Sequence, residues 1–183
     1  APPVPETTKE PFTDEEIKKV YENKNDEWIE TLILYLFTGF RLNELLSMEL
    51  TQINLETGFF NGGSKSKSGK NRFVPIHSYI QYIVKKRIKS NKKYLIEWDG
   101  KKLSKSQYYI FWNEMMEKLQ MNHTPHECRH TFRSKLDSAK ANKKGIDLMM
   151  GHKSKDVGER TYTHKTFEEL KEAIELIKFD FWV

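Results

Sequence analysis

The chain is poor in cysteine, in long apolar runs and, outside its first residues, in proline. Its one cysteine, Cys128, leaves no partner for an internal disulfide and fits a reducing, cytoplasmic setting. No apolar run approaches the roughly 20 residues needed to cross a bilayer, so no membrane association is expected. The longest run, Leu32 to Phe37, reads as core. The opening APPVPETTKEP has neither the charged start nor the apolar middle of a secretory signal. Four of the six prolines fall in residues 1–12, which show no hydrophobic periodicity. That segment is expected to be an interdomain linker, and the chain a fragment lacking its N-terminal part.

What is present points to one domain. A chain of 183 residues, 37% hydrophobic, can bury a single sizeable core despite a charged fraction of 31%. The net charge of +5 is unevenly spread. Lysines and arginines crowd into 65–72, 85–93 and 101–105, while acids gather at 14–16 and between Glu168 and Glu175. A basic middle between acidic flanks implies one positive face, suited to an acidic partner such as nucleic acid; the alternative is an ordinary solvated surface.

Thr13 and Glu16 form a capping box that opens a helix to about Tyr21. Apolar positions from Trp28 to Phe37 suit a buried helix that ends by Gly39, and Arg41 to Met48 begins another. Residues 51–76 hold short apolar runs broken by Asn, Gly and Ser, expected as two or three small strands. Their turns fall at Glu56-Thr57-Gly58 and across Lys67 to Lys70. Everything after Pro75 reads as helix, at about 77–89, 104–119, 126–138, 143–150 and 166–178. The expected fold is mainly α with a small antiparallel β-sheet, an α+β domain over 13–178 with an apolar tail at 179–183.

Residues 126–130, HECRH, fit the two-histidine zinc pattern. Pro125, however, puts His126 in a first helical turn, where backbone N–H groups and the helix dipole favour an anion. Arg129 shares its face, and a permanent guanidinium beside a divalent cation is costly. The pair suits phosphoryl oxygens better. Arg41 opens a second helix and offers a second guanidinium, unless it simply pairs with Glu44 on the surface. The stretch GGSKSKSGKNR fails as a nucleotide-binding loop: five residues separate Gly63 from Gly69, and Asn71 stands where Ser or Thr is required. Its Lys65, Lys67 and Lys70 instead suit a hairpin tip that reaches DNA. Tyr162 lies in a polar segment with Arg160 and His164, either as a reactive hydroxyl or as an anchor for the last helix.

TGFRLNEL (38–45), SKSGKNRFVPI (66–76), TPHECRHTF (124–132), MGHKS (150–154) and TYTH (161–164) occur in the order and spacing of the tyrosine recombinase catalytic domain. From about residue 13 to 178 the chain resembles that family, especially phage and conjugative-transposon integrases. The resemblance implies catalytic roles for Arg41, Lys67, His126, Arg129, His152 and Tyr162. Lys65 competes with Lys67 for the lysine role. Glu44 and His130 match supporting positions, and Lys70 and Arg72 belong to the DNA-binding or supporting set. One departure is Ala141-Asn142-Lys143-Lys144, more polar than the family's usual run before its G-H motif.

The resemblance further implies site-specific recombination of double-stranded DNA through a 3′-phosphotyrosine, without ATP, metal or other cofactor. It implies a homo-tetramer on two duplexes in a bacterial or phage-infected cytoplasm. Relaxation of supercoils by a type IB topoisomerase, and a DNA-binding module without catalysis, are the alternatives. The tail Phe179, Phe181, Trp182 and Val183 is expected either to dock on a neighbouring subunit or to pack on its own domain.

Overall fold

The computed structural model describes residues 10–62, 72–152 and 162–183. Helices α1 (Asp14–Glu22) and α2 (Glu27–Leu36) come first, followed by the short α3 (Leu42–Leu46). A three-stranded antiparallel sheet is made by β1 (Ile53–Asn54), β2 (Phe59–Asn61) and β3 (Phe73–Pro75), in that order. Next come α4 (Gln81–Ser90), a hairpin of β4 (Glu97–Trp98) and β5 (Lys101–Lys102), and then α5 (Lys105–Leu119). α6 (Pro125–Ser138), α7 (Lys143–Met150) and α8 (His164–Glu175) complete the domain. No described helix is long and apolar enough to cross a membrane.

α2 is the centre. From Ile29 to Leu36 every side chain is buried, because the mostly apolar helix packs against α1, α5 and α6, and the one charged residue of the run, Glu30, pairs with Lys86 and Arg87. Each fully buried Leu or Ile there contributes about 1.5–3 kcal/mol. Asp26 starts the helix by accepting from the Trp28 and Ile29 amides. The chain leaves it at Gly39, whose φ of +66° is the left-handed conformation glycine adopts freely. A Cβ there would meet Cδ1 of Phe132 at 2.3 Å, so α6 packs directly on the glycine.

α1 begins at the Thr13–Glu16 capping box as expected. The first hairpin turns at Asn54, whose Oδ1 accepts from the Glu56 and Thr57 amides. The second expected turn, with Lys65, Lys67 and Lys70, lies outside the described residues; on either side of it β2 and β3 pair in register, Phe60 opposite Val74. The polar run at 141–144 is a cap: Asn142 Oδ1 accepts from the Lys144 and Gly145 amides and opens α7.

Two expectations need correction. The region after Pro75 is not all helix, since β4 and β5 pair around Asp99-Gly100, both with positive φ. Phe12, assigned to the linker, is 2% exposed; its amide donates to Thr131 Oγ1 and its ring stacks on His123. At the other end the tail packs on its own chain. The Trp182 ring stacks on Tyr79 at 4.9 Å and meets Phe37 edge-on.

Candidate active site

The ends of α3, α6 and α7 converge on two backbone carbonyls. Arg129, on α6, is 4% exposed, and its guanidinium donates through one nitrogen to Gly39 O and through the other to Met150 O at 2.7 Å. Met150 is the last residue of α7, where carbonyl groups carry the negative end of the helix dipole. Arg72 Nη1 reaches the same carbonyl at 3.4 Å. The turn that follows depends on Gly151, at φ +73°: a Cβ would stand 2.5 Å from Arg72 Nη1.

Glu44 is the counter-charge, buried at 4%. Its carboxylate accepts from Arg41 at 3.2 Å and from Arg72. The expected Arg41–Glu44 pair is therefore present, yet Arg41 stays half exposed at the N-cap of α3. Arg72 has 0% exposure and lies under the ring of Phe40, so it supports the site from inside rather than meeting DNA at the surface.

α6 starts at Thr124 because Thr124 and Glu127 form a capping box with Pro125 in the first turn. That arrangement exposes His126. Its ring stands 4.8 Å from the half-buried ring of His130. The carboxylate of Glu127 caps the helix and meets His123. In a zinc hydrolase this carboxylate would serve a metal-bound water, so HECRH does not fit the zinc reading. Among the described residues no three His, Cys, Asp or Glu side chains are placed to hold a metal ion.

A cleft of about 290 Å³ opens between α3, α5 and α6, lined by Arg41, Glu44, His126, Lys105 and Tyr109 among others. Lys105 and Tyr109 were not singled out in the sequence. The signal was the Ser104–Gln107 capping box, which puts both on the first turns of α5.

His152 follows Gly151 and is about two-fifths exposed. Its Nδ1 lies 3.1 Å from Arg133 Nη1, a contact that sequence reasoning missed although Arg133 is one turn beyond Arg129. Burial first, then Arg129 and Arg133, hold His152 below the ordinary histidine value. Arg129 is itself lowered to about 10, by burial and then by Arg41 and Arg72. It stays charged at neutral pH in a strongly positive site, which suits an anion.

Tyr162 precedes α8, and its ring meets Phe73 edge-on at 4.8 Å and Phe167 at 5.4 Å. Arg72 immediately precedes β3, which begins at Phe73, so the inner arginine and the wall of the tyrosine are neighbours in the chain. The structure thus joins Arg41 and Arg72 through Glu44, and Arg72 and Arg129 through Met150 O. His152 follows that turn within reach of the charge of Arg129 and Arg41, and His126 lines the cleft with Arg41. Lys65, Lys67 and Lys70 lie outside the described residues.

The model of the Phage integrase family matches residues 11–169. Tyrosine recombinase XerA of Pyrococcus horikoshii is 28% identical over 189 residues, covering 97% of this chain and 64% of that protein. Tyrosine recombinase XerA of Pyrococcus furiosus is 30% identical over 187 residues, covering 95% and 64%. The chain thus spans slightly under two thirds of the length of these relatives. The integrase of mycobacterium phage Brujita shares the fold with a TM-score of 0.73 at 15% identity, over 96% of this chain and 60% of that one. The Tn1549 transposon integrase, solved in complex with circular intermediate DNA, superposes with a TM-score of 0.64 at 21% identity, over 88% and 60%.

Proposed function

Because the chain belongs to the phage integrase family, we propose that it cuts and rejoins DNA in site-specific recombination, with Tyr162 as nucleophile. The observation that carries this reading is the double anchoring of Arg129 on Gly39 O and Met150 O beside Arg41. It fixes one guanidinium at the meeting point of three motifs and leaves another half exposed at a helix start. Such preorganised cations stabilise the charge that grows on non-bridging phosphoryl oxygens.

In the proposed step Tyr162 Oη bonds to phosphorus while the bond to the 5′ oxygen breaks. The product is a 3′-phosphotyrosine and a 5′-hydroxyl. A tyrosine near its ordinary value of about 10 keeps its proton at neutral pH, so the proton must be removed, and His126 is the base assigned to it. Lys67 gives a proton to the departing 5′ oxygen. Arg41, Arg129 and His152 hold the phosphoryl oxygens, and Glu44 and Arg72 hold Arg41 and the Met150 turn. Lys65, Lys70 and His130 are assigned to DNA contact and support. Attack by a 5′-hydroxyl of the partner duplex runs the step backwards and joins the strands. The energy of the phosphodiester stays in the covalent link, so no nucleoside triphosphate is consumed.

The Tn1549 integrase in its complex with DNA supports DNA as the partner. The proposed assembly is a homo-tetramer on two duplexes. The test is a nicked suicide duplex carrying the recombination site. A denaturation-resistant protein–DNA adduct is expected. DNA binding without an adduct would leave only a binding module.

A further inference from the structure

The contact with Arg133 bears on which nitrogen of His152 carries the proton. A guanidinium has N–H donors and no acceptor. With Arg133 Nη1 3.1 Å from His152 Nδ1, that nitrogen must be the acceptor, and the neutral ring then carries its proton on Nε2. A competitor stands nearby. Asp147 Oδ1 lies 3.9 Å from the same Nδ1, and a carboxylate would draw the proton there. Arg133 is itself steered by Asp137, one turn further along α6, 3.6 Å from its Nε.

We propose that Arg133 is a positioning residue: it occupies Nδ1 of His152 against the claim of Asp147, so that Nε2–H is presented to a phosphoryl oxygen. The proposal rests on the reading of His152 as a phosphate donor. Among the described residues, the charged groups that face His152 are Arg129 and Arg133 from α6, Asp147 from α7 and Arg41 from the start of α3. Three are cations, which favours the neutral ring at working pH, and only for the neutral ring does the choice of tautomer matter. The imidazolium carries both protons and has no need of Arg133.

The test begins without DNA. Long-range proton–nitrogen correlation spectra of the chain labelled with ¹⁵N-histidine report which His152 nitrogen is protonated. Nε2 is expected in the parent, Nδ1 in Arg133→Leu, and Nε2 again in Arg133→Leu combined with Asp147→Ala. A His152 proton that stays on Nε2 in Arg133→Leu overturns the proposal, whether or not the chain cleaves DNA. The second readout is suicide-substrate cleavage by Arg133→Leu relative to the parent. From about pH 6 to about pH 8.5 this ratio is expected to fall, reaching about 100-fold, the effect of losing one preorganised donor. Asp147→Ala is expected to restore it. A ratio independent of pH, or not restored by Asp147→Ala, would show a merely structural role.

Discussion

Arg129 keeps its charge where two other guanidinium groups press on it, and Glu44 makes that tolerable. Glu44 is buried with two partners, Arg41 and Arg72. Arg72→Leu leaves this carboxylate with only the half-exposed Arg41. We expect a loss of about 3–5 kcal/mol, the usual cost of removing one partner of a buried pair, read from urea unfolding. A loss under about 1 kcal/mol, the range of a surface pair, would show that Arg72 is not the anchor. Arg41 with Glu44 was legible in the sequence, because three residues apart on a helix are neighbours. Arg72 was not: its partner is 28 residues away, and in the basic run 65–72 it looked like one more surface cation. Lys65 and Lys67 are distinguished by chemistry alone. Lys67→Ala is expected to slow cleavage more than Lys65→Ala in single-turnover assays, and the opposite ranking would move the general acid to Lys65.

At the scale of elements, His77 ties the start of α4 to the end of α8. Its Nε2 donates to Ile177 O at 2.8 Å, and its Nδ1 accepts from the Tyr79 amide at 3.0 Å. Burial pushes its pKa down. Glu175, 3.8 Å away, pulls the other way, but it is 41% exposed and already bonded to Ser78, so burial wins. A second proton would also face the Tyr79 amide. The folded value is therefore below the unfolded value of about 6.5, and the stability from neutral His77 is complete above that pH. It is lost as pH falls through the folded value. Thermal midpoints should drop as pH falls below about 6.5 and do so less steeply in His77→Asn. Equal slopes for the two proteins would contradict this. Helices with a capping residue, a proline in the first turn or a long apolar stripe were legible, as Thr13, Pro125 and the run to Phe37 illustrate. The β4–β5 hairpin was not, because strands of two residues are too short to show alternation. Asp99-Gly100 was its one signal.

For the whole molecule, the tail closes the core in cis. Trp182 is 8% exposed against Phe37, Tyr79 and Phe179. Trp182→Ala should cost about 3–5 kcal/mol, with a midpoint independent of protein concentration. A midpoint that rises with concentration in the parent would mean that the tail stabilises a neighbour instead. Composition could announce an apolar tail but not which surface receives it, since that surface is built from Tyr21, Phe37 and Tyr79, far apart in the chain. The order and spacing of five motifs pointed to the candidate site across the chain, whereas the burial of Arg72 and the contact of Arg133 with His152 depend on long-range geometry.

The central claim concerns one tyrosine out of several. Tyr109 lines the cleft with Arg41 and His126, whereas the Tyr162 ring lies against Phe73 and Phe167. The most direct measurement digests the suicide-substrate adduct, formed in chelator, and maps the DNA-linked residue by mass spectrometry. A nucleotide on Tyr162, absent in Tyr162→Phe, is the expected result. A nucleotide on Tyr109, or an adduct that survives Tyr162→Phe, would contradict the account.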